Sequence, residues 1–180
     1  AGSPLVAAAI VGGVAATTLF PTSVDTLNYG AKLRLSINPA DLGTMEGVAG
    51  LVSELASREP ELHILVNNAG ANWGAPLDEF PEKGWDKVMD LNLKSIFFLT
   101  RDLLPLLRKA GRAADPARVI NIGSIDGLHV PILDTYAYSA AKAGLHHLTR
   151  VLARRLAGEN VNVNAIAPGL VQTDMARALW

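Results

Sequence analysis

The chain contains no cysteine. That absence removes disulfides, thiolate nucleophiles and cysteine-based zinc sites from consideration. It also lacks an excess of positive charge: 16 Lys and Arg stand against 17 Asp and Glu, a formal net charge of -1. A general nucleic-acid binder carries a basic excess, and no block of like charge is present here. Histidine is sparse as well, with only His63, His129, His146 and His147. The last two are adjacent and point to different sides of a helix, so they do not make an i, i+4 ligand pair. No metal site is expected, and His129, His146 and His147 read as structural. The apolar stretch Leu5–Phe20 falls short of the ~20 residues of a spanning helix, and no Lys or Arg precedes Lys32. Without a basic leading region it does not read as a signal peptide. It reads as a buried strand, Leu5–Val11, followed by a turn at Gly12 and Gly13.

What is present is a chain of 180 residues, 49% hydrophobic and 18% charged, a size that suits one domain with a sizeable core. Short apolar runs alternate with longer amphipathic segments. Lys32–Ile37 alternates polar and apolar residues as a strand does. Met45–Arg58 places Val48, Leu51, Val52 and Leu55 at helical spacing. His63–Gly70 is a strand ending in turn residues, and Trp85–Ala110 a long helix expected to bend where Pro105 removes a backbone donor. Ala117–Ser124 is again a strand, Tyr136–Ala157 a second long helix, and Val161–Gly169 a last strand. Strands apolar on both faces and separated by helices imply a parallel sheet covered on both sides. The fold class is therefore α/β: a doubly wound, Rossmann-like parallel sheet in a single domain, with residues 1–31 an atypical and degenerate first βα unit. Ligands of such sheets sit beyond the carboxyl ends of the strands, so the loops after Ile37, Val66, Ile122 and Ile166 should line a site.

The segment Thr135–Gly144, TYAYSAAKAG, carries the chemistry. Tyr138 precedes Lys142 by one helical turn and shares its face, while Tyr136 does not. A phenol has a pKa of about 10, and a nearby ammonium is expected to lower it, giving a proton donor tuned toward neutrality. Many surface helices carry Tyr and Lys four apart, so the pair alone is a weak signal. Its company is more specific: NNAG after one buried strand, LNLKS on the following helix, NIGS ending the next strand, then YSAAK and NAIAPG.

That ordered set resembles the short-chain dehydrogenase/reductase family over most of residues 39–175, and its general similarity lies toward the rhamnolipid-type 3-oxoacyl reductases. The resemblance implies an oxidoreductase that moves a hydride between a nicotinamide cofactor, NADP(H) or alternatively NAD(H), and a carbonyl or alcohol substrate. It implies that Tyr138 is the acid, that Lys142 tunes Tyr138 and holds the nicotinamide ribose, and that Ser124 hydrogen-bonds the substrate oxygen. It gives Asn92 a water that relays protons through Lys142. Cofactor contacts would come from Asp41 at the adenine edge, from Asn68, Ala69 and Gly70 on the ribose and adenine side, and from Pro168, Gly169 and Thr173 around the nicotinamide. Taken singly, Ser124 could instead cap its loop, Asn92 could face solvent, and Asn67 and Asn68 could be turn formers.

The chain departs from the family pattern at its start. The usual T-G-x-x-x-G-x-G, whose glycines bring backbone donors to the cofactor pyrophosphate, is missing, and only Gly12 and Gly13 stand in its place. No basic residue before Lys32 is available for a 2′-phosphate, and Asp25 is the acidic candidate for ribose hydroxyls. The resemblance also implies self-association as a homodimer or homotetramer through the two long helices, here with Leu103, Leu106 and Leu107 on one and Leu145, Leu148 and Leu152 on the other as the expected apolar surface. The partners expected are therefore a small carbonyl or alcohol and further copies of the chain, in the cytoplasm, with neither nucleic acid nor membrane. The opposing reading is a family member without activity that serves as a binding or dimerisation module.

Overall fold

The computed structural model describes residues 40–169 together with the backbone of one earlier strand. That strand, β1 (Ala7–Ile10), falls inside the expected Leu5–Val11. Gly12, Gly13, Asp25, the strand expected at Lys32–Ile37 and Thr173 lie outside the described residues. The elements that follow are α1 (Met45–Arg58), β2 (Ile64–Asn67), α2 (Glu82–Met89), α3 (Ser95–Ala110), β3 (Ala117–Ile122), α4 (Tyr136–Leu156) and β4 (Val161–Ile166).

The four strands form one parallel sheet in the order β1-β2-β3-β4. Leu65, Val119 and Val163 are register partners across β2, β3 and β4, and all three are buried. They meet Val48 and Leu51 of α1, Leu99, Leu103 and Leu107 of α3 and Leu156 of α4 in one apolar cluster. Three successive crossovers in one direction put their helices on one face when each is right-handed, and these contacts agree. The opposite face carries Val66, Ile120 and Asn164 in register, the first two half-buried and the last exposed. The sheet is thus the parallel, Rossmann-like one the alternation implies, but among the described residues the helices cover one of its faces and not both.

Two local expectations change. Trp85–Ala110 is not one helix bent at Pro105. Helix α3 carries Pro105 without a break, and the interruption lies earlier, in a π turn at Asp90–Lys94. There the Ser95 N–H reaches back to the Asp90 carbonyl, and the Ser95 hydroxyl takes over the Leu91 carbonyl at 2.6 Å. The second change concerns the leucines expected on an outer surface. Leu103, Leu106, Leu107 and Leu145 are buried, because the α1 contacts and the sheet already use that side of both helices. The large apolar residues left outside on α3 and α4 are Phe97 and Val151.

Candidate active site

Strand β3 ends at Ile122, and the chain turns through Gly123 and Ser124 into a single 3₁₀ turn, Ile125–Gly127. The Ser124 side chain caps that turn, its Oγ accepting from the Asp126 N–H at 3.2 Å. Capping and catalysis are compatible, since this contact uses a lone pair of Oγ and leaves the hydroxyl proton free to donate. The end of β4 returns to the same place: Gly123 N–H donates to Ile166 O at 2.7 Å, and Ile125 N–H to Pro168 O at 3.0 Å. Pro168 is therefore tied to the residue after Ser124, while Gly169 stands in open space.

Helix α4 crosses this turn. Lys142 is buried, with Nζ donating to the Ile122 carbonyl at 2.7 Å and standing 5.5 Å from the centre of the Tyr138 ring. Burial pulls the Lys142 pKa down to about 8, as expected when an ammonium loses water without gaining an anion. Tyr138 moves the other way from the expectation. Its pKa is raised, chiefly by burial, with the Asp126 charge adding to the effect, while a hydrogen bond with Ser124 opposes it. The desolvation of the phenolate outweighs what the Ser124 hydrogen bond gives back, and the ammonium one turn away does not reverse it. The consequence is a phenol that stays protonated near neutral pH, which is the state a proton donor needs. Ser124, Tyr138 and Lys142 are thus brought together at the carboxyl edge of the sheet. The Tyr136 phenol is engaged elsewhere, donating to Asp134 Oδ1 at 2.8 Å.

One strand away, the turn after β2 contains Asn68, exposed, Ala69, buried, and Gly70, half-buried. Asn92 is wholly buried and clamps the next residue at two points: Ala71 N–H donates to Asn92 Oδ1, and Asn92 Nδ2 donates to Ala71 O, both at 2.8 Å. A Cβ at Gly70 would stand 3.2 Å from the same Oδ1. The amide of Asn92 therefore holds the Asn68–Ala71 turn with one donor and one lone pair, and one N–H and one lone pair remain beyond these bonds. Asp41 is not joined to this group. Its Oδ1 accepts from Gly43 N–H at 3.0 Å, its carbonyl accepts from Thr44 Oγ1 at 3.0 Å, and it shapes the turn into α1.

Other residues that shape the site were not singled out by the sequence. Asn67 and Asn121 face each other in register, and a buried chain of hydrogen bonds runs from Asn67 Nδ2 to Asn121 Oδ1 at 2.8 Å and from Asn121 Nδ2 to Thr149 Oγ1 at 2.9 Å. This ties the ends of β2 and β3 to α4. His146, read as structural, is one turn beyond Lys142 on the same face, and its Nε2 lies 3.0 Å from the Ser124 carbonyl oxygen. The Tyr138, Lys142, His146 spacing was the signal available for it.

A sequence profile described as short chain dehydrogenase matches residues 22–180. The chain belongs to the short-chain dehydrogenase family. A rhamnolipids biosynthesis 3-oxoacyl-[acyl-carrier-protein] reductase of Pseudomonas aeruginosa is 50% identical over 139 residues, which is 77% of this chain and 54% of the relative. A 2-dehydro-3-deoxy-D-gluconate 5-dehydrogenase of Dickeya dadantii is 38% identical over 144 residues, 78% of this chain and 54% of that protein. Among solved structures, an active-site complex of Pseudomonas aeruginosa RhlG with NADP superposes with a TM-score of 0.75 at 49% identity, covering 78% of this chain and 55% of that one. The chain spans about half the length of these short-chain dehydrogenase relatives.

Proposed function

We propose that this protein is an NADP(H)-dependent carbonyl reductase, moving a hydride between the nicotinamide and a ketone of the 3-oxoacyl type or its alcohol. The observation that carries the reading is the convergence of the Ser124 hydroxyl, the half-buried, protonated Tyr138 phenol and the buried Lys142 ammonium at one strand end. Negative charge develops on a carbonyl oxygen as its carbon is reduced. Ser124, its lone pair occupied by the Asp126 amide, donates to that oxygen, and Tyr138 donates a second hydrogen bond and then its proton. Two donors fixed in advance stabilise that charge where it forms.

The donor set fits a nicotinamide cofactor on the ribose side. Lys142 has a buried ammonium with donors beyond its bond to Ile122 O, Gly70 leaves no side chain between Asn92 and the Asn68 turn, and Gly169 opens free space beside Pro168. The cofactor supplies the hydride when bound. Lys142 and Tyr138 then hold the ribose, Asn68, Ala69 and Gly70 form its adenine-side wall, Pro168 and Gly169 flank the nicotinamide, and Asn92 keeps the wall in place through Ala71. The same reading gives Asp41 the adenine edge and Thr173 the carboxamide. The cofactor preference follows the NADP complex of the similar structure, and the substrate class follows the name of the 50% identical relative. No helix of the described residues is long and apolar enough to cross a membrane, and the reading places the protein in the cytoplasm, as a homo-oligomer.

The test is a titration with NADPH and with NADH followed by nicotinamide fluorescence, then NADPH consumption with a 3-oxoacyl thioester. Saturable NADPH binding and turnover that depends on the thioester are expected. Binding of neither nucleotide, or binding without turnover of any ketone, would leave the binding-module reading in its place.

A further inference from the structure

We propose that His146 is a positioning residue for Ser124, holding the serine backbone so that its hydroxyl is aimed at the substrate carbonyl. This rests on the reductase reading of the same site. His146 is buried, and its Nε2 lies 3.0 Å from Ser124 O and 3.4 Å from Ser124 N. One ring nitrogen cannot both donate to the carbonyl and accept from the amide. The shorter contact puts the proton on Nε2, donating to Ser124 O.

The sequence makes room for this contact at a specific place. A Cβ on Gly123 would stand 2.3 Å from His146 Cε1, 2.7 Å from Nε2 and 3.1 Å from Ile166 O. Separations under about 3 Å are far inside van der Waals contact, so only glycine admits the ring between β3 and α4. Helix α4 then grips the end of β3 at two successive points: Lys142 takes the Ile122 carbonyl at 2.7 Å and His146 the Ser124 carbonyl. The β4 side grips it at two more, Ile166 O from Gly123 and Pro168 O from Ile125. Ser124 is thus fixed on both flanks, and among the described residues His146 is the one side chain that bonds to the serine's own peptide. The Ser124 carbonyl also accepts from the Gly127 N–H at 3.1 Å, so losing the His146 bond loosens the serine peptide without freeing it, and a displacement of an ångström in a donor is enough to lose much of its contribution.

The test compares H146F, which keeps a ring of similar shape without the donor, with H146Q, whose amide N–H has the reach of Nε2. H146F is expected to lower kcat for a 3-oxoacyl thioester roughly 10- to 100-fold with NADPH affinity unchanged, and H146Q to restore most of it. In the S124A background the H146F loss should vanish, because there is no hydroxyl left to position. The carbonyl carbon resonance of Ser124 should move in H146F and return in H146Q. This signal needs no turnover, so it judges His146 even if the chain reduces no ketone and the reductase reading fails. A wild-type resonance in H146F, or the same fold loss with and without the serine hydroxyl, overturns the proposal.

Discussion

The Tyr136 hydroxyl already donates to Asp134 Oδ1, and that hydrogen bond raises its pKa. The Tyr138 phenol is raised by burial and faces Ser124. Tyr138→Phe removes the proton donor, so reductase kcat should fall by about 10²- to 10⁴-fold with NADPH binding little changed. Tyr136→Phe loses one exposed hydrogen bond and should be nearly silent. Steady-state kinetics of both variants decide between them, and full activity in the Tyr138 variant would remove the proposed acid. Lys142 makes a prediction about stability. Its pKa is about 8 in the folded chain against an ordinary 10.5. Below the folded value both states hold the proton, and the folded state bears the whole cost of burying it. Between about 8 and 10.5 the unfolded chain keeps a proton that the folded one has released, so stability rises with pH across that window. Lys142→Met carries no such cost. It should be the more stable protein near neutral pH, and its advantage should shrink by roughly 3 kcal/mol toward the alkaline end, each pKa unit being worth about 1.4 kcal/mol. Urea denaturation of both proteins at a series of pH values reads the gap, and a gap independent of pH would show that Lys142 is not desolvated.

The elements differ in how openly the sequence declared them. Helix α1 and strands β2, β3 and β4 fall within or on their expected spans, because period and apolar character are written locally in the residues that form them. The π turn has no such sign. It coincides with the Asn92 bond to Ala71, a partner 21 residues earlier, and from local sequence the same residues read as one continuous helix. The rise of the Tyr138 pKa was hidden for a related reason. Spacing showed that Lys142 shares its face, but Tyr138 also packs into a cluster with Val88, Met89 and Trp73, which come from other parts of the chain. The Asn67–Asn121–Thr149 chain likewise exists only once strand register is fixed. Ser124, Tyr138 and Lys142 were legible because their chemistry is unusual in that order, and Asp41 was carried only by resemblance. The clamp on Ala71 is itself testable. Asn92→Ala leaves a backbone N–H and C=O without their partner and should cost about 2–4 kcal/mol, taking roughly 1–3 kcal/mol for each stranded group with some relief from water. A loss under about 0.5 kcal/mol, the ordinary scatter of surface substitutions, would show that the turn holds without it.

At the scale of the whole molecule, the two long helices leave an apolar feature that the described core does not use. Helices α3 and α4 turn Leu103, Leu107 and Leu145 inward. Their outer sides, with the π turn, form a groove lined by Met89, Leu93, Phe97, Leu148 and Val151. Phe97 is 37% exposed and Val151 50% exposed. Side chains of this kind gathered on one surface mark an interface more often than solvent. The occupant we expect is a second copy, because one groove built by both long helices can face its twin about a two-fold axis and bury both at once. Of the leucines expected on such a surface, Leu148 lines this groove, whereas Leu103, Leu106, Leu107 and Leu145 are buried. Val151→Glu puts a charge at the centre of the proposed contact. Its own side chain is exposed in a single chain, so the fold should be kept, whereas pairing would strand a carboxylate between apolar surfaces, at a cost of several kcal/mol. The wild-type protein should therefore scatter light as a dimer or tetramer, and the Val151→Glu protein, unchanged in circular dichroism, as a monomer. A wild-type monomer at high concentration would refute the interface, and equal masses for the two proteins would place it on another surface.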